Sequence, residues 1–226
     1  MARRRVLLLP GSANPKGSTR YRLVYRLIRE RAAALRCDFE EVTYPGWHDA
    51  SSPMLNYRSA FQAALTHFRE FGPDWIIGRS LGCDVAVGIL GSGDPSVTKC
   101  RGAVLWGPSS SDDLKRLFPT EESKSSEIKR YANHKTFLSD DIFDSIPPLE
   151  RSIAGAAGDL RIARGSEDTD NTAATLSTLK SVHATSQPSF RVETIEIHGV
   201  GHTVTGDEDP VAVERYRNCL FQPFNK

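Results

Sequence analysis

Asp74–Leu90 reads DWIIGRSLGCDVAVGIL. An apolar run, Asp74–Gly78, meets the pentapeptide Gly78-Arg79-Ser80-Leu81-Gly82. A second apolar run, Leu81–Leu90, leaves it and stops at Gly91-Ser92-Gly93. The spacing G-x-S-x-G alone is modest: at ordinary Gly and Ser usage it arises by chance in roughly one chain in ten of this length. Its setting adds weight. The first run predicts a buried strand and the second a helix, so the serine falls on a sharp strand-to-helix turn. Such a turn crowds its own backbone. Glycines two before and two after the serine relieve that crowding. The hydroxyl is left exposed at the tip of the strand, beside the unsatisfied N–H groups of the first helical turn.

Outward from this stretch, strand and helix alternate. Arg5–Leu9 is apolar apart from its Arg and predicts a strand covered on both faces. The helical spacing of Tyr21, Val24, Tyr25, Ile28, Ala32 and Leu35 predicts a helix over Ser18–Leu35. Phe39–Tyr44 predicts a strand closed by Pro45-Gly46, and Pro53–Phe71 a second helix stopped by Gly72-Pro73. Further strands are expected at Arg101–Gly107, Asp159–Ala163 and Phe190–Ile197, with a helix at Asn171–Thr185. A last helix opens with Asp209 as N-cap and Pro210 at its first position. No internal repeat interrupts the series. Parallel neighbours need crossover helices, so the fold class is α/β: a mainly parallel sheet of about six strands with helices on both faces. Residues 1–226 read as one domain. Ser109–Ser152 breaks the rhythm. It is rich in Ser, Lys, Asp and Glu and holds Pro119 and Pro147-Pro148, so it is expected to be an insertion with short helices. Two roles stay open for it, a cap over one sheet edge or a solvated connection.

A serine hydroxyl is a weak nucleophile without a base. The base is expected on a loop at the same sheet edge, and His202 fits best. It lies in Gly199-Val200-Gly201-His202, just after the last predicted strand, where small residues let an imidazole approach the serine. His198 sits inside the predicted strand end. His67, His134 and His183 fall on helices or in the insertion and read as surface or half-buried residues. His48, after Pro45-Gly46-Trp47 on another edge loop, is a pocket candidate together with Trp47. A neutral histidine needs an orienting carboxylate. Gly165-Ser166-Glu167-Asp168 follows the fifth strand, and Asp168 is the choice. Glu167 has a longer and less rigid reach, and Asp170 reads as the cap of the helix beginning near Asn171. An Asp in such a loop, taken alone, is ordinarily a turn former. Three groups at the carboxyl ends of strands, where ligands bind in open α/β sheets, reverse that weighting.

The chain order Ser80, Asp168, His202, with the strand context of each, resembles the α/β-hydrolase superfamily. The resemblance spans Val6 to Phe221 and implies a compact member that starts at the family's usual third strand, without the first hairpin. It implies an oxyanion hole of two backbone N–H groups, one from Leu81 and one from Ser12. Ser12 lies in the loop LLLPGSANPKGSTRYRLV (Leu7–Val24), where Pro10-Gly11 stands in place of the family's His-Gly. Gly11, Ala13, Asn14 and Arg79 join Trp47 and His48 as possible pocket residues. The implied activity is hydrolysis of a small-molecule carboxylic ester or thioester through an acyl-enzyme on Ser80, with no cofactor.

The same residues would serve acyl transfer to an alcohol or amine, and two further rival readings remain. Gly11–Thr19 also resembles the first loop of flavodoxin-like FMN reductases, where a helix N-terminus binds the flavin phosphate. It is not a P-loop, because Lys16 precedes Gly17. The other rival is a hydrolase-like fold that binds without turnover. His198 and His202 do not share a helical face, so no metal site is expected. The net charge of +1 gives no electrostatic ground for a nucleic-acid or membrane partner. No run approaches the ~18 apolar residues of a membrane span. Val6–Leu9 is too short for a signal peptide despite Arg3–Arg5 before it. Cys37, Cys83, Cys100 and Cys219 form no CxxC pair, which suits reduced thiols in a cytoplasmic protein. Nothing in the sequence bears on oligomeric state.

Overall fold

A computed structural model describes residues 3–14, 19–47 and 54–225. Among these residues six strands form one sheet: β1 Arg5–Leu9, β2 Asp38–Glu41, β3 Trp75–Arg79, β4 Gly102–Trp106, β5 Asp159–Gly165 and β6 Val192–Ile197. Their order is β2-β1-β3-β4-β5-β6, and every neighbouring pair is parallel. The α/β class holds, and the sheet is parallel throughout rather than mainly so. The connecting helices are α1 Thr19–Ala34, α2 Tyr57–Phe71, α3 Leu81–Leu90, α4 Ser111–Leu117, α5 Glu121–Ala132, α6 Ile142–Ser145, α7 Leu149–Gly155, α8 Ala173–Ser186 and α9 Pro210–Phe221.

The period of two along each strand divides the core. Val6, Leu8, Trp75, Ile77, Val104 and Trp106 face α1 and α9. Leu7, Leu9, Ile76, Ala103, Leu105 and Ile162 face α2, α3 and α8. Strands buried on both sides explain the near-continuous apolar runs.

Element bounds shift where side chains dictate it. β2 stops at Glu41 rather than Tyr44. It is an edge strand, and Val42 and Tyr44 turn into the core beneath α2. The expected helix start at Pro53 lies outside the described residues. α2 begins at Tyr57 because Asn56 and Ser59 form a reciprocal capping box, with Ser59 N donating to Asn56 Oδ1 at 2.9 Å and Asn56 N to Ser59 Oγ at 3.0 Å. α8 is capped by Thr172, whose Oγ1 accepts from Thr175 N at 3.2 Å, so Asp170 is not its cap.

Segment 109–152 carries α4, α5, α6 and the start of α7, as the expected short helices. It is stitched to the loops after β1 and β2: Asn14 N donates to Thr136 Oγ1 at 2.8 Å and Leu55 N to Phe137 O at 2.9 Å. The topology then locates a crevice. From β1 the chain moves outward to β2, then returns past β1 to β3, so the loops leaving β1 and β3 part to opposite sides. Among the described residues no helix is long and apolar enough to cross a membrane, and all four cysteines are free thiols.

Candidate active site

Ser80 sits between β3 and α3 with φ +50° and ψ −123°, a conformation that costs a non-glycine residue on the order of 1–3 kcal/mol. The turn is held open by its neighbours. Ser80 N donates to Trp106 O at 3.0 Å, and Cys83 N donates to Ser80 O at 2.7 Å. The flanking glycines are obligatory. A Cβ on Gly82 would lie 2.0 Å from Leu9 O, and one on Gly78 would lie 2.6 Å from Gly82 O. A Cβ on Gly11 would meet Ser80 Cβ at 3.3 Å, so the loop after β1 lies directly against the serine.

Ser80, Leu81, Gly11, Ser12, Ala13 and His202 border one cavity of about 520 Å³ at this crevice. His202 Nδ1 is 2.9 Å from Asp168 Oδ2. Asp168 is buried and otherwise saturated. Its Oδ1 accepts from Asp170 N at 2.9 Å, and its Oδ2 also accepts from Asn171 Nδ2 at 2.8 Å. Burial by itself would raise this carboxyl. The hydrogen bond and charge of His202, with the donors of Asp170 and Asn171, outweigh it and hold Asp168 below the usual range. No hydrogen bond joins Ser80 Oγ to His202 among the described residues, a contact that unliganded sites commonly leave long.

The structure thus brings Ser80, His202, Leu81, Ser12, Gly11 and Ala13 to one cavity, with Asp168 buried behind His202. Three further pocket candidates are held by partners of their own, and of these Arg79 alone borders the cavity. Arg79 borders the cavity, but its guanidinium is buried and engaged: Nη2 donates to His202 O at 3.1 Å and also bonds Thr203 Oγ1. It positions the histidine loop, helped by Trp106 Nε1, which donates to the same carbonyl at 3.1 Å. Trp47 stands behind the wall and donates from Nε1 to Ser12 O at 2.9 Å. Asn14 is turned away toward Lys135 O, to which Nδ2 donates at 3.2 Å. His48 lies outside the described residues. Of the other histidines, His198 is exposed on the turn after β6. His183 is wholly buried on α8, where Nδ1 lies 3.2 Å from Ile153 O, rather than half-buried at the surface.

Of the Gly11–Thr19 loop on which the FMN reading rests, residues 15–18 lie outside the described residues. Gly11 N donates to Tyr25 Oη at 3.1 Å and Asn14 N to Thr136 Oγ1, so two amides that would cradle a phosphate are taken. Asp168, Asp170 and His202 do place ligand-type atoms within 4.8 Å of one another. Asp170 Oδ2 lies 3.6 Å from His202 Nδ1. Asp168 Oδ2 already meets two nitrogen groups, an arrangement that suits an oriented imidazole better than a cation.

Two residues were missed from the sequence. Arg164, buried at the end of β5, donates from Nη2 to Asp168 O at 2.9 Å and from Nε to Asn171 Oδ1 at 3.1 Å, and pairs with Glu196. An arginine inside an apolar strand was the available signal. Gly107, after β4 at φ +62°, makes room for the imidazole: a Cβ there would lie 2.8 Å from His202 Cε1.

No family model matches the chain, and no curated protein does. Solved structures do. N-formylmaleamic acid deformylase from Pseudomonas putida S16 aligns with TM-score 0.63 at 13% identity, over 89% of this chain and 86% of that one. The esterase domain of a Rhodothermus marinus protein aligns with TM-score 0.61 at 12% identity, over 96% and 84%. A monoacylglycerol lipase from Paleococcus ferrophilus aligns with TM-score 0.63 at 17% identity, over 96% and 92%. At such identities the likeness is one of architecture, and the class it defines is the α/β-hydrolase fold.

Proposed function

We propose that this chain is a serine hydrolase that cleaves a small-molecule carboxylic ester or thioester through an acyl-enzyme on Ser80. One observation carries the reading: the hydrogen-bonded His202–Asp168 pair and the strained Ser80 turn meet at the same cavity. In this mechanism His202 Nε2 takes the Ser80 proton while Oγ adds to the carbonyl carbon. The oxyanion lies against the N–H groups of Ser12 and Leu81, each worth about 3 kcal/mol of barrier. Collapse expels the alcohol or thiol, which receives the proton from His202. Water, deprotonated by His202, then adds to the acyl-enzyme, and the carboxylic acid leaves with Ser80 restored. Asp168 holds the tautomer and stabilises the imidazolium.

Residues 109–152 act as a cap in this reading. Leu117, Phe118, Leu138, Ile142 and Phe143 from that segment wall the cavity opposite Ser80, which excludes water and favours an apolar substrate limb. The esterase and lipase among the structural neighbours support the same reaction class. The test is turnover of a 4-nitrophenyl acyl ester together with labelling by a fluorophosphonate probe. Ser80→Ala is expected to lose at least a factor of about 10³ in kcat and all labelling. Full activity in that variant, or no labelling of the parent protein, would end the proposal.

A further inference from the structure

We propose that Asp84 is a recognition residue in the substrate cavity: its carboxyl group takes a hydrogen-bonding hydroxyl or ammonium carried by the substrate near the scissile carbonyl. The assignment rests on the hydrolase reading and names its substrate class.

Asp84 is the sole charged residue of α3, whose sequence LGCDVAVGIL is otherwise apolar or small. It follows Ser80 by four positions and lies in the first turn of α3, the helix that Ser80 precedes. Asp84 borders the same cavity as Ser80 and is 5% exposed. Its Oδ1 makes no hydrogen bond to any described residue. The cavity is lined by both kinds of residue, with Leu81, Leu138, Ile142 and Ile146 beside charged groups that include Arg79 and Arg130. Among the described residues no cation forms an ion pair with it. The ionisable groups that act on it or feel it are Tyr44, Tyr57, Cys83 and Glu150, and Glu150 repels it. Burial pushes its carboxyl well above the usual range, toward a neutral acid that can both donate and accept. A buried polar group without a partner costs about 1–3 kcal/mol, and a leucine at this position would avoid that cost. The fold therefore keeps an acid with one unpartnered oxygen at the wall of the cavity that holds Ser80.

Reach sets the position of the complementary group. Four residues of helix rise about 6 Å. From an acyl carbon on Ser80, two C–C bonds and one C–O bond span about 3.6 Å, and a hydrogen bond adds about 2.8 Å. A donor on the β-carbon of the acyl chain fits that span. A plain alkyl chain would leave Asp84 unpaired, and sites built to bond a polar substrate group discriminate strongly against analogues that lack it.

The experiment compares ethyl butyrate, ethyl 3-hydroxybutyrate and ethyl 3-aminobutyrate with the parent protein, Asp84→Leu and Asp84→Asn. The parent is expected to favour one substituted ester over butyrate by at least tenfold in kcat/KM, and Asp84→Leu to erase or invert that ratio. Asp84→Asn keeps a preference for the hydroxyl and loses one for the ammonium, which separates the two donors. A parent that prefers the plain ester, or a preference that survives in Asp84→Leu, overturns the assignment. Binding of butyramide, 3-hydroxybutyramide and 3-aminobutyramide to Ser80→Ala, followed by ligand-observed NMR, reads recognition without chemistry. Donor-selective binding that depends on Asp84, with no turnover of any ester, would refute the hydrolase reading and leave Asp84 assigned. Ser80-dependent turnover without donor selectivity would do the reverse.

Discussion

Gly107→Ala probes the geometry of the proposed catalytic pair most directly. Gly107 N donates to Ala163 O at 2.8 Å, which ties its backbone to the end of β5. An alanine methyl would lie 2.8 Å from His202 Cε1, 2.9 Å from Nδ1 and 3.4 Å from Asp168 Oδ2. Relaxed contacts between carbon atoms sit at about 3.5–4.0 Å, so roughly 0.7–1.2 Å must be found. The tied backbone yields less readily than the imidazole, which borders the open cavity. The ring is therefore expected to swing away and break its 2.9 Å contact with Asp168. Misplacing a catalytic group by about 1 Å costs on the order of 10² in kcat. The left-handed backbone at φ +62° adds about 1–2 kcal/mol of destabilisation, or a Tm lower by about 2–8 °C in a chain of this size. Gly93→Ala supplies the control. Gly93 has φ +71°, yet nothing lies within 4 Å of its added Cβ. It is expected to lose similar thermal stability with kcat unchanged. The assay pairs ester turnover with thermal unfolding on the same preparations. A Gly107→Ala protein with kcat within about twofold of the parent, while its Tm falls as expected, would refute the placement of His202 as the base.

Opposite pKa shifts at two buried aspartates are expected to give opposite pH dependences of stability. Asp168 is held below its unfolded value near 3.9, so its contribution is complete above that pH and is lost as pH falls through the lower folded value. Asp168→Asn is thus expected to show its largest stability deficit at neutral pH, closing in acid, together with a loss in kcat on the order of 10⁴. Asp84 is shifted upward, so its penalty is absent below about pH 3.9 and grows as pH rises toward the folded value. Asp84→Leu is expected to gain more stability at neutral than at acid pH, and denaturant titrations at both ends of the range check both signs. Arg164→Met leaves Asp168 O and Asn171 Oδ1 without their donor and is expected to cost on the order of 2–4 kcal/mol. If Arg164 positions the Asp168 loop, kcat falls with KM held; stability lost with kcat intact would limit it to a structural role.

How much of this site can be read from the chain alone depends on how far each residue's function reaches. The Ser80 turn was legible because its demands are local: a tight strand-to-helix turn needs Gly78 and Gly82 at fixed offsets, whatever lies elsewhere. The strands were legible because burial on both faces writes an unbroken apolar run, while the edge strand β2, covered less fully, ended earlier than expected. Asp168 and His202 were legible through their places after β5 and β6, each marked by a glycine-containing loop. Arg79 was not. Its role comes from Thr203, 124 residues away, and at the level of sequence it is one of the variable positions of G-x-S-x-G. Asn14 and Thr136 are 122 residues apart, so an amide that looks free to bind a ligand is in fact taken by segment 109–152. Gly107 looks like any turn glycine until an imidazole is found where its side chain would be. Asp84 belongs to the same class with the sign reversed. A lone acid in an apolar helix marks a conflict between local composition and burial, and such conflicts are expected at functional sites because function, rather than folding, retains them. Arg164 in β5 shows the structural resolution of that conflict, since its partners are present within the chain. At Asp84 one carboxyl oxygen finds no partner among the described residues, which is why the group that completes it is sought in the substrate.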